Sequence, residues 1–543
     1  MAFRIPAGPF ELQDAAGFDE EGPDSLDDRE RRLAFGAANY FSFVYPGHSL
    51  RLTIVRGPRG TYPSLTDDRC RHIGWFPDRV PVASLRVRSL VPSTAPDPRM
   101  TDLVIDIGGG DENIDTYDQL RGIVGKARRA TRFFAPIQYD VARQIRTDFA
   151  ERRSATRSLP RRRPAAVPRR VDGEGSGKAP AVLFGLHWLE LGGAERWALD
   201  CIQLAKEAGL VPIVITDRDS AHPWITRPEF DDAVVVPMTH PIVMGHDAAL
   251  LDGVFATYDI RGVHVHHNTW MYDRLPWIKS VRPDLPVVDS LHILEWRTGG
   301  FVDHSVCMSD MINEHHVISP RLRDYLIGKH GIPAAKVKLA TLANLTTGNL
   351  TEEAAKAGHG RTDTFTVTYV GRFHQQKRPY LFLKLAAELK KAPGFGVRFI
   401  MHGDGPLARE VRSLRARLGL AGDVELRGPD QPVSATLAET DVLVITSENE
   451  GLSLTSFEAT AVGVPVVSAD VGSQGSIVAG DLLCPRHTYP FVRAASRAIQ
   501  TLASSPDQRK HWLEEQAGKA DALKRLPTGV DWARDLYRKW SRP

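Results

Sequence analysis

From Ala181 onward the chain alternates short apolar runs with helical stretches, and it does so twice, which narrows its fold more than any other feature. AVLFGLHW, VPIVITD, AVVVPM, GVHVHHN and PVVDSLH have strand length and are separated by segments such as AERWALDCIQLAKEAG. Unbroken apolar runs between helices read as βαβ units, whose parallel strands are covered on both faces. A polar stretch at 346–363 interrupts the rhythm, which restarts with FTVTYVG, PYLFLKLAAELKK, GVRFIMHG, DVELRG, DVLVIT, LTSFEATAVG and PVVSAD. The expectation is an α/β chain with two successive doubly wound lobes. Open sheets of this kind bind ligands at the carboxyl ends of their strands, so two such lobes face each other across a cleft.

The first 180 residues have a different texture. Residues 1–32 are acidic and are expected to be disordered. Residues 33–140 read as a small β-rich accessory domain: YFSFVYPG, SLRLTIVRG, VASLRVRSLV and TDLVIDIG as strands, with a helical run near 117–132. Gly108-Gly109-Gly110 reads as a turn, because it is not GxGxxG and Asp111-Glu112 would repel a phosphate. Residues 141–180 read as a basic, Pro-rich linker. Ten arginines between 141 and 170 face only Asp148 and Glu151, a local balance of +8 in a chain whose net charge is +3. Like-charge blocks are usually solvated linkers, and a tether to an anionic membrane surface is the sharper reading. No aromatics are interleaved for base stacking, so nucleic acid is not expected. The opening residues lack the apolar core of a secretory leader, and no stretch approaches the ~18 apolar residues of a membrane span. With four isolated cysteines (Cys70, Cys201, Cys307, Cys484), a cytoplasmic protein without zinc modules or disulfides is expected.

The second lobe carries most of the chemistry. Arg372 and Lys377 lie five positions apart in GRFHQQK, on a loop between a strand and a helix that opens at Pro379. Two cations so placed can grip one diphosphate. Gly403 and Gly405, in MHGDGP, give a tight turn through which backbone can approach a ligand. Glu450 and Glu458 bracket Gly451-Leu452-Ser453-Leu454 at a helix start: the carboxylates suit paired sugar hydroxyls, and the open N–H groups suit a phosphate. In the first lobe His292 closes VVDSLH, and His264, His266 and Asn268 share one face of VHVHHN by strand alternation. Neither carboxylate nor cysteine completes that histidine group in the sequence, so no metal is expected.

GRFHQQK, GDGP, EGLSLTSFEATAVGVPVV and, in the first lobe, LGGAER together resemble the retaining glycosyltransferases of family 4, over a span from Ala181 to the C terminus. The resemblance implies the GT-B fold, two facing Rossmann-like domains: an acceptor-side domain at 181–346, a linker at 347–363, a nucleotide-sugar-binding domain at 364–510, and helices at 511–543 packing back across the lobes. It implies that Arg372 and Lys377 neutralise the departing diphosphate, that Glu450 contacts the transferred sugar and that Glu458 holds the ribose hydroxyls. Gly192 and Gly193 would let the first lobe's backbone close over the donor, Arg196 would be available for phosphate, and His292 would face the sugar. The family needs no metal or other cofactor. Ser453 stands where it often has glycine, Gly472-Ser473-Gln474-Gly475-Ser476 lacks its usual glutamate, and TLANLTT at 341–347 replaces a usual Asn-Gly turn.

The expected function is therefore retaining transfer of a hexose from a nucleotide-diphosphate sugar to a saccharide or lipid-linked acceptor, in cell-surface polysaccharide or glycolipid biosynthesis at the inner membrane face. The alternative is a catalytically inactive nucleotide-sugar-binding interaction subunit. A Rossmann oxidoreductase is excluded, since no strand leads into GxGxxG with an acid about twenty residues on. On this reading, removing residues 1–170 spares catalysis.

Overall fold

Residues 8–17, 26–68, 78–93, 100–109, 122–154, 159, 161–162, 177–190, 192–240, 242–243, 245–295, 299–343, 364–392 and 396–542 are described in a computed structural model of the chain. The chain opens with β1 (Phe10–Gly17), α1 (Asp28–Val44), β2 (Ser49–Arg56), β3 (Val80–Ser89) and β4 (Met100–Asp106). The strands form one mixed sheet in the order β1-β3-β2-β4, antiparallel except for the β2–β4 pair. Two features depart from expectation. Phe10–Gly17 is not a disordered lead but an edge strand paired with β3, with Phe10 packed on Phe35 at 6.1 Å between ring centroids. The YFSFV run is not a strand but the last turns of α1. Asp27 and Glu30 form a capping box that starts this helix, the Glu30 amide donating to Asp27 Oδ1 at 2.7 Å and the Asp27 amide to Glu30 Oε2 at 3.1 Å. The aromatics then continue the helix because it is buried on nearly every side, and tertiary packing overrides their strand preference.

Two helices follow, α2 (Gly122–Phe134) and α3 (Pro136–Ser154). α3 runs through the boundary expected at 140–141, so the first half of the basic stretch is helix rather than linker. Of the rest, 155–158, 160 and 163–176 lie outside the described residues, as do Gly110, Asp111 and Glu112, and the 347–363 linker with most of TLANLTT.

The first lobe contains β5 (Pro180–Leu186), α4 (Gly193–Glu207), β6 (Val211–Thr216), β7 (Val234–Pro237), α5 (His246–Thr257), β8 (Asp259–His266), α6 (Thr269–Val281), β9 (Val287–Leu291), α7 (Gly300–Cys307), β10 (Glu314–Val317), α8 (Pro320–Asp324) and β11 (Val337–Leu339). Its seven strands pair in parallel in the order β11-β10-β9-β8-β5-β6-β7. The second lobe contains β12 (Phe365–Val370), α9 (Pro379–Leu389), β13 (Val397–His402), α10 (Ala408–Arg417), β14 (Val424–Arg427), α11 (Val433–Ala438), β15 (Val442–Ile445), α12 (Leu454–Ala461), β16 (Val466–Ala469), β17 (Leu483–Cys484) and α13 (Thr488–Ser504). Its six strands are also parallel, in the order β14-β13-β12-β15-β16-β17. Sheet order reverses beside β5 and β12 in turn, so each lobe has a switch point that opens toward the other. The chain is thus α/β with two doubly wound lobes behind a small sheet.

Its last two helices divide between the lobes. α14 (Pro506–Lys524) lies on the second lobe, where Gln516 accepts from the Val466 amide at 2.9 Å and donates to the Val464 carbonyl at 3.0 Å. α15 (Gly529–Trp540) returns to the first, with Trp540 stacked over Gly262, where a Cβ would come within 2.5 Å of the indole.

The N-terminal unit sits on the free edge of the first lobe. Asn39 donates to the Val235 carbonyl of β7 at 2.9 Å, and Thr66 and Thr239 exchange hydrogen bonds. α1 packs so closely on α5 that a Cβ at Gly253 would meet the Phe43 carbonyl at 2.6 Å. Gly253→Leu should therefore force α1 off α5 and cost about 1–3 kcal/mol of stability, as overpacking does, measured by urea unfolding of the full chain.

Candidate active site

The carboxyl ends of the central strands of both lobes meet at a cleft of about 1870 Å³. Among its lining residues are Gly192, Gly193, Arg196 and His292 from the first lobe, and Arg372, Lys377, Glu450, Gly451, Leu452, Ser453, Leu454 and Glu458 from the second. Twelve of the fourteen residues singled out in the sequence thus come together. Gly403 and Gly405 do not line it. Both adopt positive φ (152° and 146°) and lie behind the β12–α9 loop, where a Cβ would meet the Gly371 carbonyl at 2.0 Å and the Phe373 carbonyl at 2.9 Å. Their smallness lets one loop nest against another, behind the cleft wall.

On the second-lobe wall, Lys377 Nζ contacts Glu450 Oε1 at 2.6 Å, and the Ser447 hydroxyl donates to the same oxygen at 2.6 Å. Glu450 is buried while Lys377 is a third exposed, so the pair presents its cation to the cleft and keeps its carboxylate fixed. Arg372 reaches across to Glu190 of the first lobe at 3.5 Å. α12 begins after Ser453, which makes no side-chain cap bond; the Ser456 amide bonds the Ser453 carbonyl at 3.1 Å, which leaves the first two amides of the helix for a partner in the cleft. Glu458, one turn into α12, is pushed above the usual carboxylate range by burial, with Arg196 pulling the other way.

The lobes touch closely here. A Cβ at Gly451 would stand 2.1 Å from the His292 carbonyl, and one at Gly192 would stand 2.1 Å from Glu195 Oε2. The glycine before α4 is thus covered by a carboxylate that folds back over it. Sequence reasoning missed Glu195, which accepts from Trp188 Nε1 at 2.6 Å and pairs with His187 Nε2 at 3.0 Å. Burial drives its pKa up, but His187 and these hydrogen bonds outweigh burial and hold it below the usual value. Glu190, Trp188 and Phe301 were also missed, because single residues on first-lobe loops carry no pattern. The segment lacking the family's glutamate is tied to the first lobe instead: Ser473 and Ser319 hydroxyls meet at 2.5 Å, and Arg321 pairs with Asp470 at 2.7 Å.

Behind the cleft the first lobe holds a group of buried histidines. His264 bonds Tyr537 Oη at 2.6 Å and Ser290 Oγ at 2.9 Å, while His316 bonds Ser290 Oγ and donates to the Ala340 carbonyl, both at 2.9 Å. His266 and His292 stack at 6.0 Å, and neither ring has a protein hydrogen-bond partner. Asn268 serves structure, capping α6 and donating to the Leu186 carbonyl at 2.6 Å. Cys201 completes a buried trio with His264 and His266, their donor atoms within 4.8 Å of one another, a cysteine that strand alternation alone did not bring in. Both nitrogens of His264 are already engaged, so a metal held there would have to displace its bond to Tyr537 or its bond to Ser290.

Burial, reinforced by neighbouring charges, holds His264, His266, His267 and His292 well below their ordinary values, and burial lowers His316 to about 4. His292 therefore faces the cleft as a neutral ring. A folded-state pKa depressed in this way means that stability is full above the ordinary histidine value and lost as pH falls below it, because only the unfolded chain takes up the protons. The melting temperature should hold near pH 8 and fall steadily below about pH 6.5, measured by thermal unfolding between pH 8 and 4.5.

Parts of the chain are similar to known proteins. Residues 364–503 match the family model of glycosyl transferases group 1. A protein of Bacillus subtilis (strain 168) named as glycosyltransferase EpsF is 34% identical over 125 residues, 23% of this chain and 32% of its own length. A D-inositol 3-phosphate glycosyltransferase of Rhodococcus opacus (strain B4) is 28% identical over 276 residues, 45% of this chain and 59% of its own length. The chain thus spans less than two thirds of either relative. Among solved structures, HepE of Anabaena in complex with UDP-glucose superposes with a TM-score of 0.48 at 16% identity, covering 66% of this chain and 98% of that one.

Proposed function

We propose, from a second lobe that matches the family model of glycosyl transferases group 1, that this chain transfers a hexose from a nucleotide-diphosphate sugar to a saccharide or lipid-linked acceptor with retention of configuration. The observation that carries the reading is the second-lobe wall: Lys377 and Arg372 stand beside the open start of α12, with Glu450 and Glu458 in the same cleft. In the transfer the bond between the anomeric carbon and the β-phosphate oxygen breaks, and negative charge gathers on the departing diphosphate. Fixed cations aimed at that charge lower the barrier without reorganising. Lys377 pairs with Glu450 at 2.6 Å on this wall. Glu458, with its raised affinity for a proton, suits hydrogen bonding to ribose hydroxyls.

Across the cleft, Trp188, Trp270 and Phe301 lie beside Asp217, Asp219, Asp273 and Glu295. Arg274 covers the Trp270 ring, and Arg218 and His267 cover Phe301, so what this wall offers a saccharide acceptor is hydroxyl recognition by its carboxylates. The joint presence of both cations and both carboxylates in one cleft speaks against an inactive binding subunit. Retention and the assignment to surface polysaccharide or glycolipid assembly rest on the motif resemblance. No helix among the described residues is long and apolar enough to cross a membrane. A place at the inner membrane face draws support from α2 and α3, where Phe134, Ile145 and Phe149 are exposed among arginines, a mixed surface that suits anionic lipid.

The test is acceptor-dependent release of nucleoside diphosphate across UDP-, GDP- and ADP-sugars. One donor should turn over, Glu450→Ala should abolish transfer with the fold intact, and Lys377→Ala should lower kcat about 10²–10³-fold and weaken donor binding. Full activity in Glu450→Ala would sink the assignment. Sedimentation with phosphatidylglycerol vesicles but not neutral ones is expected to weaken in Phe134→Ser/Phe149→Ser.

A further inference from the structure

The basic segment expected to be a dispensable linker makes an unexpected contact. One face of α3, with Asp140, Arg143, Gln144 and Asp148 at helical spacing, docks on the second lobe directly behind the loops that carry Lys377 and Glu450. Asp140 accepts from Tyr380 Oη at 2.9 Å and Thr488 Oγ1 at 2.7 Å, and faces Arg378 Nη1 at 3.5 Å. Arg378 and Asp140 are 0% and 1% exposed. Arg378 has φ of 47°, in the left-handed region, so the chain turns sharply just after Lys377. Its guanidinium donates to the carbonyls of Thr446 at 2.6 Å, Ser447 at 3.1 Å and Arg486 at 3.0 Å. The Thr446 hydroxyl returns a bond to the Lys377 carbonyl at 2.7 Å, and Ser447 holds Glu450. One turn along α3, Arg143 pairs with buried Glu448 at 2.7 Å, whose amide bonds the Gln376 carbonyl at 2.7 Å.

We infer that α3 is a built-in brace of the donor site, with Asp140 and Arg143 as positioning residues that fix the loops bearing Lys377 and Glu450. Asp140 neutralises Arg378 so that its fork stays on the Thr446 and Ser447 carbonyls, and Arg143 holds Glu448 between the same two loops. The N-terminal segment, packed on the first lobe through α1 and on the second through α3, is then part of the enzyme's working geometry, and a chain without residues 1–170 loses activity. The roles of Lys377 and Glu450 rest on the function proposed above; the position of their loops does not.

The test compares Asp140→Asn and Arg143→Gln with Asp148→Asn in the full chain. Asp148 belongs to the same docking face but pairs with His487 at 2.9 Å, on the loop before α13 rather than on either of the loops that carry Lys377 and Glu450. Amide hydrogen exchange over 374–378 and 446–451 is followed with donor kcat, donor KM and nucleoside diphosphate affinity. Asp140→Asn and Arg143→Gln should speed exchange in both loops and lower kcat about 10- to 100-fold, as misplaced catalytic groups do, while Asp148→Asn leaves loop exchange and kcat within about twofold. Unchanged loop exchange and kcat in a folded Asp140→Asn would overturn the inference, as would equal effects from Asp148→Asn, which would reduce α3 to a stabilising contact. Should Asp140→Asn fail to fold, Arg143→Gln decides by the same criteria. A wild-type chain that transfers no sugar would remove the proposed function, and loop exchange would still decide the brace.

Discussion

The guanidinium of Arg378 is sealed inside the second lobe, and the donor wall is arranged around satisfying it. A buried cation is costly unless its charge is paired and its donors are bonded. Here one carboxylate and three carbonyls meet that demand, and they come from three separate stretches of chain: α3, the residues just after β15 and the loop before α13. Removing one member of such a pair leaves a bare charge at a cost of about 3–5 kcal/mol, so the loops cannot drift independently. Rigid placement of Lys377 and Glu450 follows from that constraint rather than from their own contact, which is partly open to water.

The first lobe is built differently. Its cleft-facing edge is backed by neutral histidines, serines and a tyrosine, joined by short hydrogen bonds under the return helix α15. This interior gives His292 an uncharged ring and places its carbonyl against Gly451. The second-lobe wall thus sets Arg372 and Lys377 beside a helix start, while the facing wall offers a neutral ring and carboxylates interspersed with Arg196, Arg218 and Arg274. The first arrangement suits a substrate half that departs as an anion, and the facing carboxylates suit a hydroxyl-rich acceptor.

The parallel lobes were legible because their strands are buried on both faces, which leaves unbroken apolar runs such as FTVTYV and PVVSAD. The second-lobe wall of the cleft was legible because its residues sit close together in sequence, on two strand-to-helix loops. Arg378 was not, although it adjoins Lys377, because its partner Asp140 lies 238 positions away and nothing local marks a buried arginine. The start of α1 was present in Asp27-x-x-Glu30, a capping box overshadowed by the acidic composition around it. For α3 the arginine count concealed the pattern: Asp140, Arg143, Gln144 and Thr147 form one inward face, and net charge says nothing about faces. Gly403 and Gly405 carried the right signal for a tight turn, but the partner their backbone approaches is the neighbouring loop.

Calorimetry of the full chain with UDP, GDP and ADP against the matching monophosphates tests the central claim most directly, that two cations and the start of α12 form a preset diphosphate site. One diphosphate should bind at least about tenfold more tightly than its monophosphate, since a single charged hydrogen bond contributes about 1.5–3 kcal/mol, and Arg372→Ala/Lys377→Ala should erase that difference. Equal affinity for both forms, or a difference that survives the double substitution, would contradict the account.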